Sequence, residues 1–219
     1  MKKITISLYI IILPITLIIS CSLYGQVTTL EENTFIGPDV LKTNMRKLCE
    51  DHVTYTRNII FCIVDELPGK EEATQRLIKN LVDITNAIEP YYGSDVRKQL
   101  TVLLKTHVEL MIEVINQAKV RNEEKLEMIN KKWYANASEI SVLLRKMNPN
   151  WALTDIKLMM YNHLTLTSEE AMNRINKNYP ADAATFEEVQ IEIKELSDKL
   201  VEDIVVQFPN KFSPTLALH

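Results

Sequence analysis

Leu100-Thr101-Val102-Leu103-Leu104-Lys105-Thr106-His107-Val108-Glu109-Leu110-Met111-Ile112-Glu113-Val114 decides the fold. Its apolar residues Leu100, Leu103, Leu104, Leu110, Met111 and Val114 recur at steps of three and four, which gathers them on one face of an α-helix. His107 lies in the middle of that face. Outward from it, His52 stands 55 residues before and His163 stands 56 residues after. The contexts His52-Val53-Thr54-Tyr55, His107-Val108-Glu109-Leu110 and His163-Leu164-Thr165-Leu166 share apolar residues one and three places on. Three acids, Asp83, Glu139 and Glu195, follow at intervals of 56, and Asn80-x-x-Asp83-Ile84 is echoed by Asn136-x-x-Glu139-Ile140. In the third copy Asp198 or Glu202 also fits, with a one-turn shift. A period of this size is the mark of one supersecondary unit copied.

The breaks around these stretches are sparse and regular: Leu67-Pro68-Gly69, Pro90-Tyr91-Tyr92-Gly93, Arg121-Asn122, Asn148-Pro149-Asn150 and Tyr179-Pro180. They cut the chain into six amphipathic segments joined by short turns, and strand signals are weak. The expected architecture is all-α: an up-and-down bundle of about six antiparallel helices, built from three tandem helical hairpins. Asp39 and Ser94 are candidate N-caps, and Thr154-Asp155 and Ser168-Glu169-Glu170 either cap or sit on polar faces. Each hairpin places its histidine in the first helix and its acid in the second, so one cross-section could hold all six.

The first 21 residues read as an export signal, with a basic Met1-Lys2-Lys3 start and an apolar run from Ile4 to Ile19. The run ends Ile18-Ile19-Ser20-Cys21, which resembles the bacterial lipobox and makes Cys21 the expected lipidation site. Residues 22 to 40 read as a flexible tether, 41 to 212 as one all-helical domain, and 213 to 219 as a C-terminal tail. The expected location is the cell envelope, as a membrane-anchored lipoprotein or a secreted protein. Cleavage before Cys21 removes Lys2 and Lys3, leaving 23 basic residues against 29 acidic ones. That charge, near −6, argues against a nucleic-acid partner, which demands a basic footprint. Cys49 and Cys62 lie 13 residues apart on one expected helix, about 20 Å at 1.5 Å per residue, so they do not pair with each other.

Each histidine is flanked by apolar residues on its helix: Leu48 and Tyr55, Leu103 and Leu110, Met159 and Leu166. A ring facing inward needs a partner, because an unpaired buried polar group is costly. Two readings follow. In one, each histidine makes a core hydrogen bond across its own hairpin, copied three times. In the other, His52, His107 and His163, with Asp83, Glu139 and Glu195, hold a transition metal (Fe, Zn, Mn or Cu) or a haem. The residues three before the histidines are Cys49, Leu104 and Met160, not the glutamates of a di-iron bundle, and no His-Glu-x-x-His pair exists. Yet three of the four histidines fall in register, the fourth being the C-terminal His219.

The aromatic residues Tyr91-Tyr92, Trp133-Tyr134, Trp151 and Tyr161 are read as covering bundle ends near turns. Arg57 and Arg76 are expected to pair with Asp51 or Asp83. No glycine-rich phosphate loop or Gly-x-Ser-x-Gly elbow is present, so no catalytic residue is assigned.

The pieces Glu50-Asp51-His52-Val53-x-Tyr55-Thr56-Arg57, Pro90-Tyr91-Tyr92-Gly93, Trp133-Tyr134-Ala135-Asn136-Ala137, Asn148-Pro149-x-Trp151 and Gln207-Phe208-Pro209-Asn210-Lys211-Phe212 resemble a family of uncharacterised exported bacterial helical-bundle proteins. The resemblance implies exported helical architecture and no activity. The expected function is therefore a lipid-anchored binding or envelope accessory module without catalysis. Its partners would be the membrane, through the N-terminal lipid, and an envelope protein or small ligand. The alternative is a metal- or haem-binding bundle of ferritin or hemerythrin style.

Overall fold

The computed structural model describes residues 37–212. The signal at 1–21 with Cys21, nearly all of the tether and the tail at 213–219 lie outside the described residues. Five helices make up the fold: α1 Pro38–Val64, α2 Lys70–Lys119, α3 Glu123–Met147, α4 Leu153–Ile175 and α5 Tyr179–Gln207. A single 3-10 turn, Pro209–Lys211, follows. The described residues contain no strand. Consecutive helices pack on one another, and α1 also packs on α5, so the chain forms a helical bundle. No described helix is long and apolar enough to cross a membrane.

The starts and stops have local causes. Helix α1 begins at Pro38, inside the stretch read as tether, because a proline at the first helical position loses an N–H that has no partner there anyway. Gly37, not Asp39, precedes it as the cap; Asp39 lies in the first turn, where a carboxylate favours the helix dipole. Asn122 and Asn178 cap α3 and α5 by accepting from Lys125 N and Ala181 N. Helix α2 runs 50 residues through the expected break at Pro90-Tyr91-Tyr92-Gly93. Gly93 is nonetheless non-helical, at φ 81° and ψ 169°, so the axis kinks there.

The backbone itself carries the period. Glu66, Arg121 and Lys177 adopt left-handed φ of 56°, 55° and 58°, and they too are 55 and 56 residues apart. Each follows the end of a helix. The next residue's N–H then reaches back to a carbonyl five earlier: Leu67 to Cys62, Asn122 to Gln117 and Asn178 to Asn173. This closure satisfies carbonyls that a helix end leaves unpaired.

The core runs the length of the bundle. Val53, Val108 and Leu164, each one residue past a histidine, are all within 1 % of full burial. One end is covered by aromatic rings: Tyr91 stacks on Phe212, Phe208 packs edge-on to Tyr92, and Trp151 tilts against Tyr92. Trp133 departs from the expected role, because it is buried in mid-core.

Candidate functional site: a histidine layer around a central cavity

His52 on α1, His107 on α2 and His163 on α4 line one internal cavity of about 110 Å³. Cys49 and aliphatic side chains including Leu104, Ile140 and Met160 complete its wall, and no formally charged side chain lines it. The His52 and His163 ring centroids are 6.0 Å apart.

The three acids expected opposite the histidines are not in this layer. Asp83 pairs with Lys79 on its own helix, and Glu139 and Glu195 are exposed. The alternatives also lie elsewhere: Asp198 takes Arg46 at 2.5 Å and Glu202 takes Lys42. The side chains that stand opposite the histidines lie one turn earlier, at Asn80, Asn136 and Glu192, which are also spaced by 56; the last two bond their rings. Both sets share the same spacing, so the period alone does not distinguish them; a shift of three residues raises the side chain about 4.5 Å and turns it about 60° short of a full turn, enough to carry the acids out of the core.

The second copy is fully satisfied. His107 Nδ1 lies 2.9 Å from Asn136 Oδ1, and Trp133 Nε1–H donates to His107 Nε2 at 3.2 Å. Indole N–H only donates, so His107 Nε2 is the acceptor and Nδ1 carries the proton. Asn136 in turn donates through Nδ2 to the Leu103 carbonyl at 3.1 Å. The first copy repeats the last bond, Asn80 Nδ2 to Leu48 O at 2.9 Å. Its His52 Nδ1 and Asn80 Oδ1 are both buried without a hydrogen-bond partner, though Asn80 weakly favours the charged ring. In the third copy His163 Nδ1 donates to Glu192 Oε2 at 3.2 Å. A carboxylate has no N–H to offer a carbonyl, and Glu192 Oε1 is buried unpaired. At the Trp133 position the other copies have Leu77 and Val189, so an indole reaches only one ring.

Burial is the main cause of the site's electrostatics. It holds His52 and His107 down at about 3, with the nearby His163 ring adding to the effect on both. Burial also pushes the Cys49 thiol up to about 12, helped by Glu192 and Glu50. A thiol held neutral is inert as a nucleophile.

As a metal centre the layer does not fit. His107 has both nitrogens engaged and the acids are outside. Among the described residues no group of three or more His, Cys, Asp or Glu side chains is placed to hold a metal ion. Cys49 and Cys62 are both free thiols on α1.

A second polar cluster joins α1, α4 and α5. Arg57 contacts Glu170 and reaches Asp182 at 2.8 Å, while Arg174 bridges Asp182 at 3.2 Å and Asp65. Phe61 lies under both guanidinium groups, at 4.6 and 4.0 Å. Burial lifts the Glu170 carboxyl to about 7 against the opposing pull of Arg57. Glu170 thus neither caps a helix nor sits on a polar face, and Arg57 does not take Asp51 or Asp83. Asp51 instead pairs with Lys47, and Arg76 bonds Tyr55.

Comparison with known protein families, with curated proteins and with solved structures finds no match to this chain.

Proposed function

We propose that this protein is a non-catalytic binding or accessory module of the cell envelope, exported and held at a membrane by a lipid on Cys21. In this reading the described bundle is an up-and-down array of about six helices in three tandem hairpins. The common turn geometry at Glu66, Arg121 and Lys177 supports the tandem copies, and the break at Gly93 supports a sixth helix. The observation that carries the functional reading is His107. Both of its ring nitrogens are engaged inside the core, by Asn136 and Trp133, so it is committed to structure and has no free atom for chemistry.

A metal-binding reading draws on the convergence of three histidines and Cys49 on one cavity. It requires His107 Nε2 to leave Trp133. Haem is disfavoured by size, since about 110 Å³ is well below the roughly 300 Å³ at which pockets for drug-sized ligands begin. One experiment separates the readings: elemental analysis and unfolding of the wild type and of His107→Asn, purified without chelator or histidine tag. The accessory reading expects lower stability and unchanged metal content. A stoichiometric transition metal, lost in the variant while the bundle stays folded, would establish the other.

A further inference from the structure

We propose that the central cavity binds a small, neutral, mostly apolar molecule carrying one hydroxyl group, whose O–H donates to a cavity-lining imidazole of His52 or His163. The inference rests on reading the protein as a binding module and names its ligand class.

Size comes first. A cavity of about 150 Å³ with apolar walls takes benzene, with its six heavy atoms, so about 110 Å³ suits a molecule of four or five. The wall decides the rest. With no charged side chain around the cavity, a carboxylate or an ammonium would be buried without a counter-ion, which is prohibitive. A neutral ligand remains.

The imidazoles set the polarity of its one polar group. His163 turns Nδ1–H to Glu192, so in the neutral ring Nε2 is the acceptor on the side chain that lines the cavity. Asn80 commits Nδ2 to the Leu48 carbonyl, so the group it can offer His52 is Oδ1, which suits a proton on His52 Nδ1 and an acceptor at Nε2. His107 shows what such an acceptor takes when a donor is near, because Trp133 supplies it an N–H. His52 and His163 lack that indole, having Leu77 and Val189 in its place. A hydroxyl on the ligand provides the missing donor. Ring neutrality follows for His52, which burial keeps uncharged at ordinary pH.

A route in exists. A second hollow, of about 60 Å³, lies beside Trp151 and Ala152 and shares Leu144, Leu196 and Leu200 with the cavity wall. Rotamer changes at three leucines would join the two spaces.

The test is a methyl-NMR titration of the full-length protein with cyclobutanol, cyclobutanone and cyclobutylammonium, three probes of nearly equal volume. Cyclobutanol is expected to saturate one site, shifting Leu104 and Ile140 methyls. It should bind about tenfold more tightly than the ketone, which lacks a donor and meets only the weakly donating Cys49 thiol. Cyclobutylammonium should not bind. Leu104→Phe should fill the cavity and abolish cyclobutanol binding while melting no lower than wild type. His52→Leu should weaken the alcohol severalfold and leave the ketone unchanged; His163→Leu provides the same test on the other ring. Equal affinities for alcohol and ketone, unaltered binding in Leu104→Phe, or no saturable binding by wild type would each overturn the proposal. Metal content measured on the same sample keeps the two readings apart. A metal-free protein that ignores cyclobutanol overturns this inference alone.

Discussion

Asn136 fixes the His107 ring and the Leu103 carbonyl at once, so a single amide stands between two buried polar groups and isolation. Asn136→Ala should cost about 2 to 4 kcal/mol, combining orphaned polar groups with a small cavity, read as a lower denaturant midpoint at constant slope. Asn80→Ala should cost less, because Asn80 Oδ1 has no partner to lose. The histidines also set an acid limb. His52 and His107 sit at about 3 when folded against an ordinary 6.5, so the unfolded chain binds more protons between those values. Their contribution is complete above pH 6.5 and is lost as pH falls toward 3, by roughly 1 kcal/mol per pH unit for each ring. Glu170 acts in the opposite sense. Raised from 4.5 to about 7, its neutral form favours folding below 4.5, and that contribution is lost as pH rises through 7. Stability measured from pH 3 to 8 in wild type, His52→Leu and Glu170→Gln should therefore show a shallower acid limb in the first variant and a flatter neutral region in the second. An unchanged acid limb in His52→Leu would contradict burial of that ring. At this scale the sequence disclosed the three histidines through their spacing and apolar neighbours. Asn80 and Asn136 stood in the same repeated motif as the acids. Charge drew attention to the acids, yet in an apolar core an amide that donates and accepts serves a neutral imidazole and a carbonyl together, which a carboxylate does not.

Helices follow from the three- and four-residue spacing of apolar side chains, which reads in sequence because it reflects a buried stripe. Their ends are less legible. Glu66, Arg121 and Lys177 hold left-handed conformations without being glycine, so the turns they make carry no glycine signal. Lys177→Gly should relieve that conformation and raise stability by up to about 1 kcal/mol, partly offset by the greater freedom of glycine when unfolded. Gly93 is the reverse case. At φ 81° and ψ 169° it occupies a region open essentially to glycine, although an added Cβ would meet nothing within 4 Å. Gly93→Ala should therefore cost about 1 to 3 kcal/mol through the backbone alone. A null effect in thermal unfolding would mean that α2 straightens without penalty. Between elements, Arg57 serves both Glu170 and Asp182, whose side chains are about 1 % and 2 % exposed. Removing it as Arg57→Leu strands the buried Glu170 carboxyl, leaves Asp182 with Arg174 alone, and should cost about 3 to 5 kcal/mol. The added change Glu170→Gln should recover part of that loss. This cluster is hidden in sequence because Arg57 stands more than a hundred residues before Glu170 and Asp182, and nothing local marks Glu170 as buried.

Across the whole molecule, the 55- and 56-residue period appears in the histidines, in their partners and in the turns, so one unit explains the layer at the centre of the bundle. The copies have diverged where it matters chemically. One ring is capped by Trp133, one is held by Glu192 and one faces Asn80, and together they enclose a cavity none of them would form alone. If lipidation holds the protein at a membrane, Cys21→Ser should move it from the membrane fraction to the supernatant after cell lysis and remove incorporation of a labelled fatty acid. The central claim is that His52 and His107 are neutral rings in the core and that His107 is hydrogen-bonded through both nitrogens. Nitrogen-15 NMR of the imidazoles from pH 8 to 4 tests it most directly. The account predicts that His107 keeps its proton on Nδ1 with an acceptor Nε2 throughout, and that neither His107 nor His52 titrates in that range. Titration of His107 near 6.5, or a proton on its Nε2, would contradict it.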